Sequence, residues 1–301
     1  MLQPGAQERR FLDPAVVARL GTLELKARTI VEGFLSGLHR SPFKGFSVEF
    51  AEYRQYFPGD ALSTIDWKVY ARTDRYYVKK FEEETTLDCH VMLDASGSMA
   101  YGSTAMTKFE YASCIAASLG YLMNRQRDAV GLTAFDEKIV AMLPASSRPG
   151  HLRSMLVTLD RLRPDHRTDV SKPLHQLADS LVKRGMVVLI SDLLDDPESV
   201  INGLRHFQFR GNDVIVFHVL DPHELDFPFE RATRFEDLET NEEVMAVPGA
   251  VRAHYLKEIG ALIERYRRDL GAAGIDYQLL TTKQPLELAL LAYLSTRARA
   301  L

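Results

Sequence analysis

The chain has 301 residues, 46% of them apolar, and a formal net charge of −4. That apolar content can bury one large or two modest cores, while the mild acidity excludes a general electrostatic footprint for nucleic acid. Two cysteines, Cys89 and Cys114, give neither a disulfide framework nor metal spacing, so core packing in a reducing compartment is expected of them. The first ten residues lack a signal peptide's apolar core, and no run approaches the ~18–20 apolar residues of a membrane span. A soluble cytoplasmic protein is expected.

In chain order, residues 1 to about 40 read as helical. Asp13-Pro14 is a cap followed by proline in the first turn, Leu12, Val16, Val17 and Leu20 make an apolar stripe, and a second amphipathic stretch covers about Glu24–Leu38. Residues 41–87 change character, with Phe46, Val48 and Phe50 alternating and a turn at Pro58-Gly59-Asp60. Short strands and turns are expected there, with Trp67, the only tryptophan, as a packing anchor. Lys and Arg mix with aromatics in this segment, but Glu49, Glu52, Asp60, Asp66, Asp74 and Glu82–Glu84 largely cancel their charge. An ion-paired layer against the main domain is expected, not nucleic-acid binding.

From residue 88 strands and helices alternate, the signature of a doubly wound, mostly parallel sheet. Six strands are predicted, at about 88–94, Ala129–Phe135, Ile139–Leu143, Met186–Ser191, Asp213–Val219 and Ile275–Leu280. The turn Asp136-Glu137-Lys138 is too short for a crossover, so the third strand should be an antiparallel edge. Helices are predicted at about 107–125, 150–162, 171–183, 197–208, 250–271 and 285–299, with a long acidic insertion at 221–248 that offers a hairpin. The expected organisation is an N-terminal helical and short-strand segment, 1–87, packed on an α/β domain, 88–301.

The stretch that organises the chain is Cys89–Met99. Its strand ends at Asp94, where ligands sit in open α/β sheets, and Gly97 is expected to turn the chain so that Asp94, Ser96 and Ser98 point at one spot. The bland alternative is a strand end followed by a turn, with serine as helix cap. The fourth strand ends Ile190-Ser191-Asp192, beside Asp94 at the switch point, and the loop before residue 171 offers Thr168 and Asp169. Asp94, Ser96, Ser98, Thr168 and Asp192 thus form a set of oxygen donors from three loops. Such a set suits a hard cation, Mg²⁺ with Mn²⁺ or Ca²⁺ as substitutes. Asp169 is either a helix N-terminal charge or a group that orients a ligand. The nine histidines, His166 among them, form no zinc spacing.

These residues resemble the metal-ion-dependent adhesion site of von Willebrand factor A-type domains. Two positions differ: Arg167 precedes Thr168, and Leu193 follows Asp192, where glycine is common in that fold. Glu52–Asp60, Ile65–Lys68, Ala71–Thr73 and Val78–Glu84 are similar to a bacterial family known as domain of unknown function 58, and the match covers about residues 41–220. The resemblance implies a metal-dependent protein-interaction module, an adaptor for a MoxR-type AAA+ ATPase. It also implies a partner or client that supplies Asp or Glu to the metal. A metal-independent scaffold is the alternative. A Mg²⁺-dependent phosphohydrolase of the haloacid dehalogenase type would need an acid where Ser96 stands. Ser98 lies outside a Gly-x-Ser-x-Gly elbow and there is no phosphate loop, so no catalytic residue is expected.

Overall fold

Asp13 starts the first helix as the sequence suggests, its carboxylate accepting the Ala15 N–H at 2.8 Å over α1 (Pro14–Ala18). In α2 (Leu23–His39), Ala27, Ile30, Val31 and Phe34 recur at helical spacing and are buried in one core with Val91, Ile115 and Leu119. The computed structural model describes residues 12–39, 53–56, 67–79, 88–165, 169–181, 183–240 and 242–300. It comprises two compact units, Met1–Leu38 with Leu87–Leu301, and His39–Thr86. The sequence grouped residues 1–87 together; α1 and α2 belong instead with the larger unit, because their apolar stripe is part of its core.

In the smaller unit, β1 (Tyr53–Gln55) pairs antiparallel with a later strand, β2 (Tyr77–Lys79), and α3 (Trp67–Thr73) lies between them in sequence. Tyr70 stacks on Tyr76 at 4.5 Å, and Trp67 meets Tyr70 edge-on. Two expectations change here. Trp67–Thr73 is a helix, in a run too short to show a period, and Trp67 is 58% exposed, not a packing anchor. The Pro58-Gly59-Asp60 turn and Phe81–Glu84 lie outside the described residues.

In the larger unit, β3 (Asp88–Asp94), β4 (Ala129–Phe135), β5 (Ile139–Ser146), β6 (Met186–Ser191) and β7 (Asp213–Leu220) follow in sequence. The insertion adds a hairpin, β8 (Thr233–Glu236) with β9 (Glu243–Ala246), before the last strand, β10 (Asp276–Thr281). The main sheet has the order β10-β7-β6-β3-β4-β5, parallel throughout except at the antiparallel edge β5. Every residue of β4 and β6 is buried, as strands covered on both faces require.

Side chains alternate between two cores. Val91, Leu93, Val188 and Ile190 face α2, α4 (Lys108–Gln126), α5 (His151–Arg161) and α10 (Glu287–Ala300). Met92, Val187 and Leu189 face α6 (Ser171–Ser180), α7 (Pro197–Phe209) and α9 (Pro248–Ala272). A one-turn helix, α8 (Pro222–Asp226), missed in the sequence, opens the insertion under an Asp221–Glu224 capping box. This is the doubly wound, von Willebrand factor A-like arrangement. Strand order reverses between β3 and β6, which pair directly, so Asp94 and Asp192 leave adjacent strands at one edge.

Candidate metal site

Asp94 ends β3 fully buried. Its Oδ1 accepts the Ser96 N–H at 2.9 Å and its Oδ2 accepts the Ser191 hydroxyl at 2.6 Å. The chain then enters a short 3₁₀ turn, Gly97–Ala100, with Ser96 at its N-cap position. Ser96 makes no side-chain capping bond; its Oγ lies 3.1 Å from Ser98 Oγ, so the bland capping role does not account for it. Ser98 in turn donates to Asp192 Oδ2 at 2.7 Å. Asp94, Ser96, Ser98 and Asp192 therefore form one connected oxygen cluster from two loops. Thr168, with His166 and Arg167, lies outside the described residues. Gly97 does not take a left-handed backbone, so the conformational freedom expected of it is unused.

The two aspartates stand in different fields. Burial raises the Asp94 carboxyl to about 7, the Asp192 charge adds to the rise, and the hydrogen bonds from Ser191 and Ser96 only partly oppose it. Burial also works against an ionised Asp192, but Lys108 and the Ser98 hydroxyl outweigh it and hold its pKa below the usual range. Lys108 is wholly buried, with its Nζ 2.7 Å from Asp192 Oδ2 and 2.6 Å from Glu224 Oε1. Burial alone would discharge that ammonium; the two carboxylates instead raise its pKa.

The Asp192 loop is fastened from below. The Asp192 carbonyl can only accept, so His218 Nε2 carries the proton it receives at 2.7 Å, and the Tyr277 hydroxyl donates to His218 Nδ1 at 2.6 Å. Burial lowers the His218 pKa to about 4, so this imidazole is neutral. Leu193 takes φ +52°, a left-handed backbone in which a β-carbon costs roughly 1–2 kcal/mol. The Ser191 hydroxyl accepts the Leu193 N–H at 2.9 Å and Tyr266 OH donates to the Leu193 carbonyl at 3.1 Å, holding the strained residue in place.

Asp169 bonds the Lys172 N–H at 3.1 Å and pairs with the Lys172 ammonium, so it acts at the start of α6. Beside the 3₁₀ turn, a cleft of about 430 Å³ runs between Gly21, Lys26, Ala100, Thr107, Arg163 and Pro164. Lys108, Glu224, Ser191 and His218 were not singled out in the sequence. Lys108 had a signal: it heads the stripe Lys108, Ala112, Ile115, Leu119, where every other member is apolar and buried.

Among the described residues no group of three or more His, Cys, Asp or Glu is arranged to hold a metal. A cation here would depend on hydroxyls beside two aspartates. That donor set fits a hard cation: Asp94 is buried, faces only neutral donors among the described residues, and keeps lone pairs on both oxygens.

A family model for proteins of unknown function, DUF58, matches residues 52–261. An uncharacterized protein of Mycobacterium tuberculosis, Rv1480, is 26% identical over 291 residues, covering 95% of this chain and 91% of that protein. An aerotolerance-related membrane protein from Bacteroides fragilis superposes with a TM-score of 0.50 at 17% identity, over 70% of this chain and 99% of that one. The conserved hypothetical protein BatB from Bacteroides thetaiotaomicron gives a TM-score of 0.49 at 15% identity, over 71% of this chain and 99% of its own. The likeness to the Bacteroides fragilis protein is of fold alone. Among the described residues no helix is long and apolar enough to cross a membrane. The family model spans well over half of the chain, and the chain belongs to the DUF58 family.

Proposed function

We propose that this chain is a metal-dependent protein-recognition module of the cytoplasm, an adaptor for a MoxR-type AAA+ ATPase. Asp94, Ser96, Ser98, Thr168 and Asp192 would hold Mg²⁺, with Mn²⁺ or Ca²⁺ as substitutes. The observation that carries this reading is Asp94, a buried carboxylate raised to about 7, faced by neutral donors and joined through Ser96 and Ser98 to Asp192. The cation would supply positive charge at that oxygen cluster and accept an acidic side chain from the partner. The protein's own part is to hold its hydroxyls and carboxylates in one place. His218, Tyr266 and Tyr277 brace one loop, and the β3–β6 pairing sets the other beside it. Ser96 stands where a phosphohydrolase would need its acid, so recognition, not catalysis, is the chemistry assigned.

The test is binding to the purified MoxR-type ATPase of the same cell, with Mg²⁺ or with chelator, for wild type and Asp94→Ala. Loss of binding on chelation and in a folded Asp94→Ala variant is the expected result. Binding that survives both would move the interface elsewhere. One observation favours a second reading, a metal-independent scaffold: Lys108 already satisfies Asp192 from within the chain.

A further inference from the structure

Away from the Asp94 loops, α6 and α7 pack with no room between them: a β-carbon at Gly203 would stand 3.0 Å from Leu174 Cβ. Leu174 and Leu177 of α6 share one buried core with Leu204 and Phe207 of α7, which fixes how the two helices face each other. At the surface of that seam His175 of α6 meets His206 of α7. They are 31 positions apart in sequence, yet their Nδ1 atoms lie 3.1 Å apart. The ring centroids are 5.4 Å apart and the planes are tilted by 45°. His175 is exposed and His206 half-buried, so solutes reach the pair.

Two nitrogen lone pairs cannot face each other at that distance, so one nitrogen carries a proton. His206 Nε2 lies 3.6 Å from Asp179 Oδ1, and a carboxylate there favours the tautomer with its proton on Nε2 and a bare lone pair on Nδ1. The proton between the rings therefore belongs to His175 Nδ1, which donates to His206. Asp179 is held in turn by Arg210 Nη1 at 3.2 Å. Two nitrogens bound to one cation at ~2.0–2.1 Å are roughly 2.9 Å apart at a right angle and roughly 3.4 Å apart at a tetrahedral one. The observed 3.1 Å falls between these values. A cation can take the place of the shared proton once that proton has moved through solvent to His175 Nε2.

We propose that His175 and His206 form a second metal site, a two-imidazole clamp for Zn²⁺ or another imidazole-seeking cation, with water completing the shell. Imidazole nitrogen suits Zn²⁺, Cu²⁺ and Ni²⁺ and is a poor ligand for Mg²⁺, so this site does not compete for the ion assigned to Asp94. Among the described residues no third His, Cys, Asp or Glu joins the pair, and Asp179 acts as a positioning residue behind His206. The clamp ties α6 to α7 a second time. At the other end of α6 the Val170 N–H already bonds Asp195 Oδ2 at 2.8 Å, in the loop between Asp192 and α7.

The probe is Zn²⁺, titrated calorimetrically into the full chain, free of any purification tag, with Mg²⁺ in excess to fill oxygen sites. Wild type, Asp94→Asn, His175→Ala and His206→Ala are compared, with folding checked by the thermal midpoint before zinc is added. One Zn²⁺ per wild-type chain is expected, bound at least tenfold more weakly by either histidine variant and equally well by Asp94→Asn. The same Zn²⁺ should raise the thermal midpoint of wild type and not that of the histidine variants. Unchanged Zn²⁺ affinity in a folded His175→Ala variant would overturn the clamp. So would wild type that binds no Zn²⁺, which would leave the pair as a hydrogen bond between two neutral rings. Zinc-edge X-ray absorption of the wild-type complex should show two imidazole ligands, and a shell of oxygen alone would place the ion elsewhere and contradict the proposal.

Discussion

Asp94 and Asp192 end neighbouring strands and are equally inaccessible to solvent, yet burial leaves them in opposite states. Among the described residues Asp94 meets only a backbone N–H and hydroxyls, and its carboxyl is raised to about 7. Asp192 meets the Lys108 ammonium and stays ionised. The difference shows that depth does not set charge; the cation beside a carboxylate does. Among the described residues, Asp192 has a cation beside it and Asp94 has none.

Removing Lys108 attacks the comparison at its stronger side. Lys108→Met leaves Asp192 and Glu224 as buried carboxylates without a cation, and should cost about 3–5 kcal/mol of stability in urea denaturation with chelator present. A loss below about 1 kcal/mol would mean that Asp192 is held by its other hydrogen bonds.

The weaker side is reached by pH. The unfolded Asp94 carboxyl titrates near ~3.9, and the folded one at about 7. Between those values the folded chain binds a proton that the unfolded chain releases, so stability falls as pH rises. Asp94's contribution is complete below about pH 4 and gone above about pH 7, a change of a few kcal/mol in chelator. Asp94→Asn should flatten that slope, and an unchanged slope would place its cause in another group.

Mg²⁺ should act above that window, where the folded Asp94 is ionised. At about a hundred times its dissociation constant it should add about 2.7 kcal/mol to wild type and nothing to Asp94→Asn, as read from the thermal midpoint. Smallest is a nearby lesion without charge. Thr107→Ala removes the capping box with Glu110 at the start of α4, and should cost about 1 kcal/mol without altering divalent-ion affinity.

Much of the scaffold was legible because β3, β4 and β6 are short apolar runs and the Asp136–Lys138 turn allowed only an antiparallel return. Asp94, Ser96, Ser98 and Asp192 were legible because residues at the ends of adjacent parallel strands are neighbours whatever the intervening chain does. Lys108 and Glu224 were harder. Their sites lie 116 positions apart in sequence, and only the tertiary fold shows that an acidic insertion returns a carboxylate to Lys108 beside Asp192. Lys108 itself broke an otherwise apolar stripe, and His218 interrupted Val214–Leu220; each polar residue marked a buried partner that local pattern could not name. Trp67 misled for the opposite reason, since a large apolar residue need not be inside.

The most direct measurement is a calorimetric titration of Mg²⁺ into the full chain at pH 7.5, wild type against Asp94→Asn, with folding of both checked by circular dichroism. One saturable site per wild-type chain, absent from the folded Asp94→Asn variant, is the predicted result. No binding by wild type, or equal binding by both, would contradict a metal site centred on Asp94.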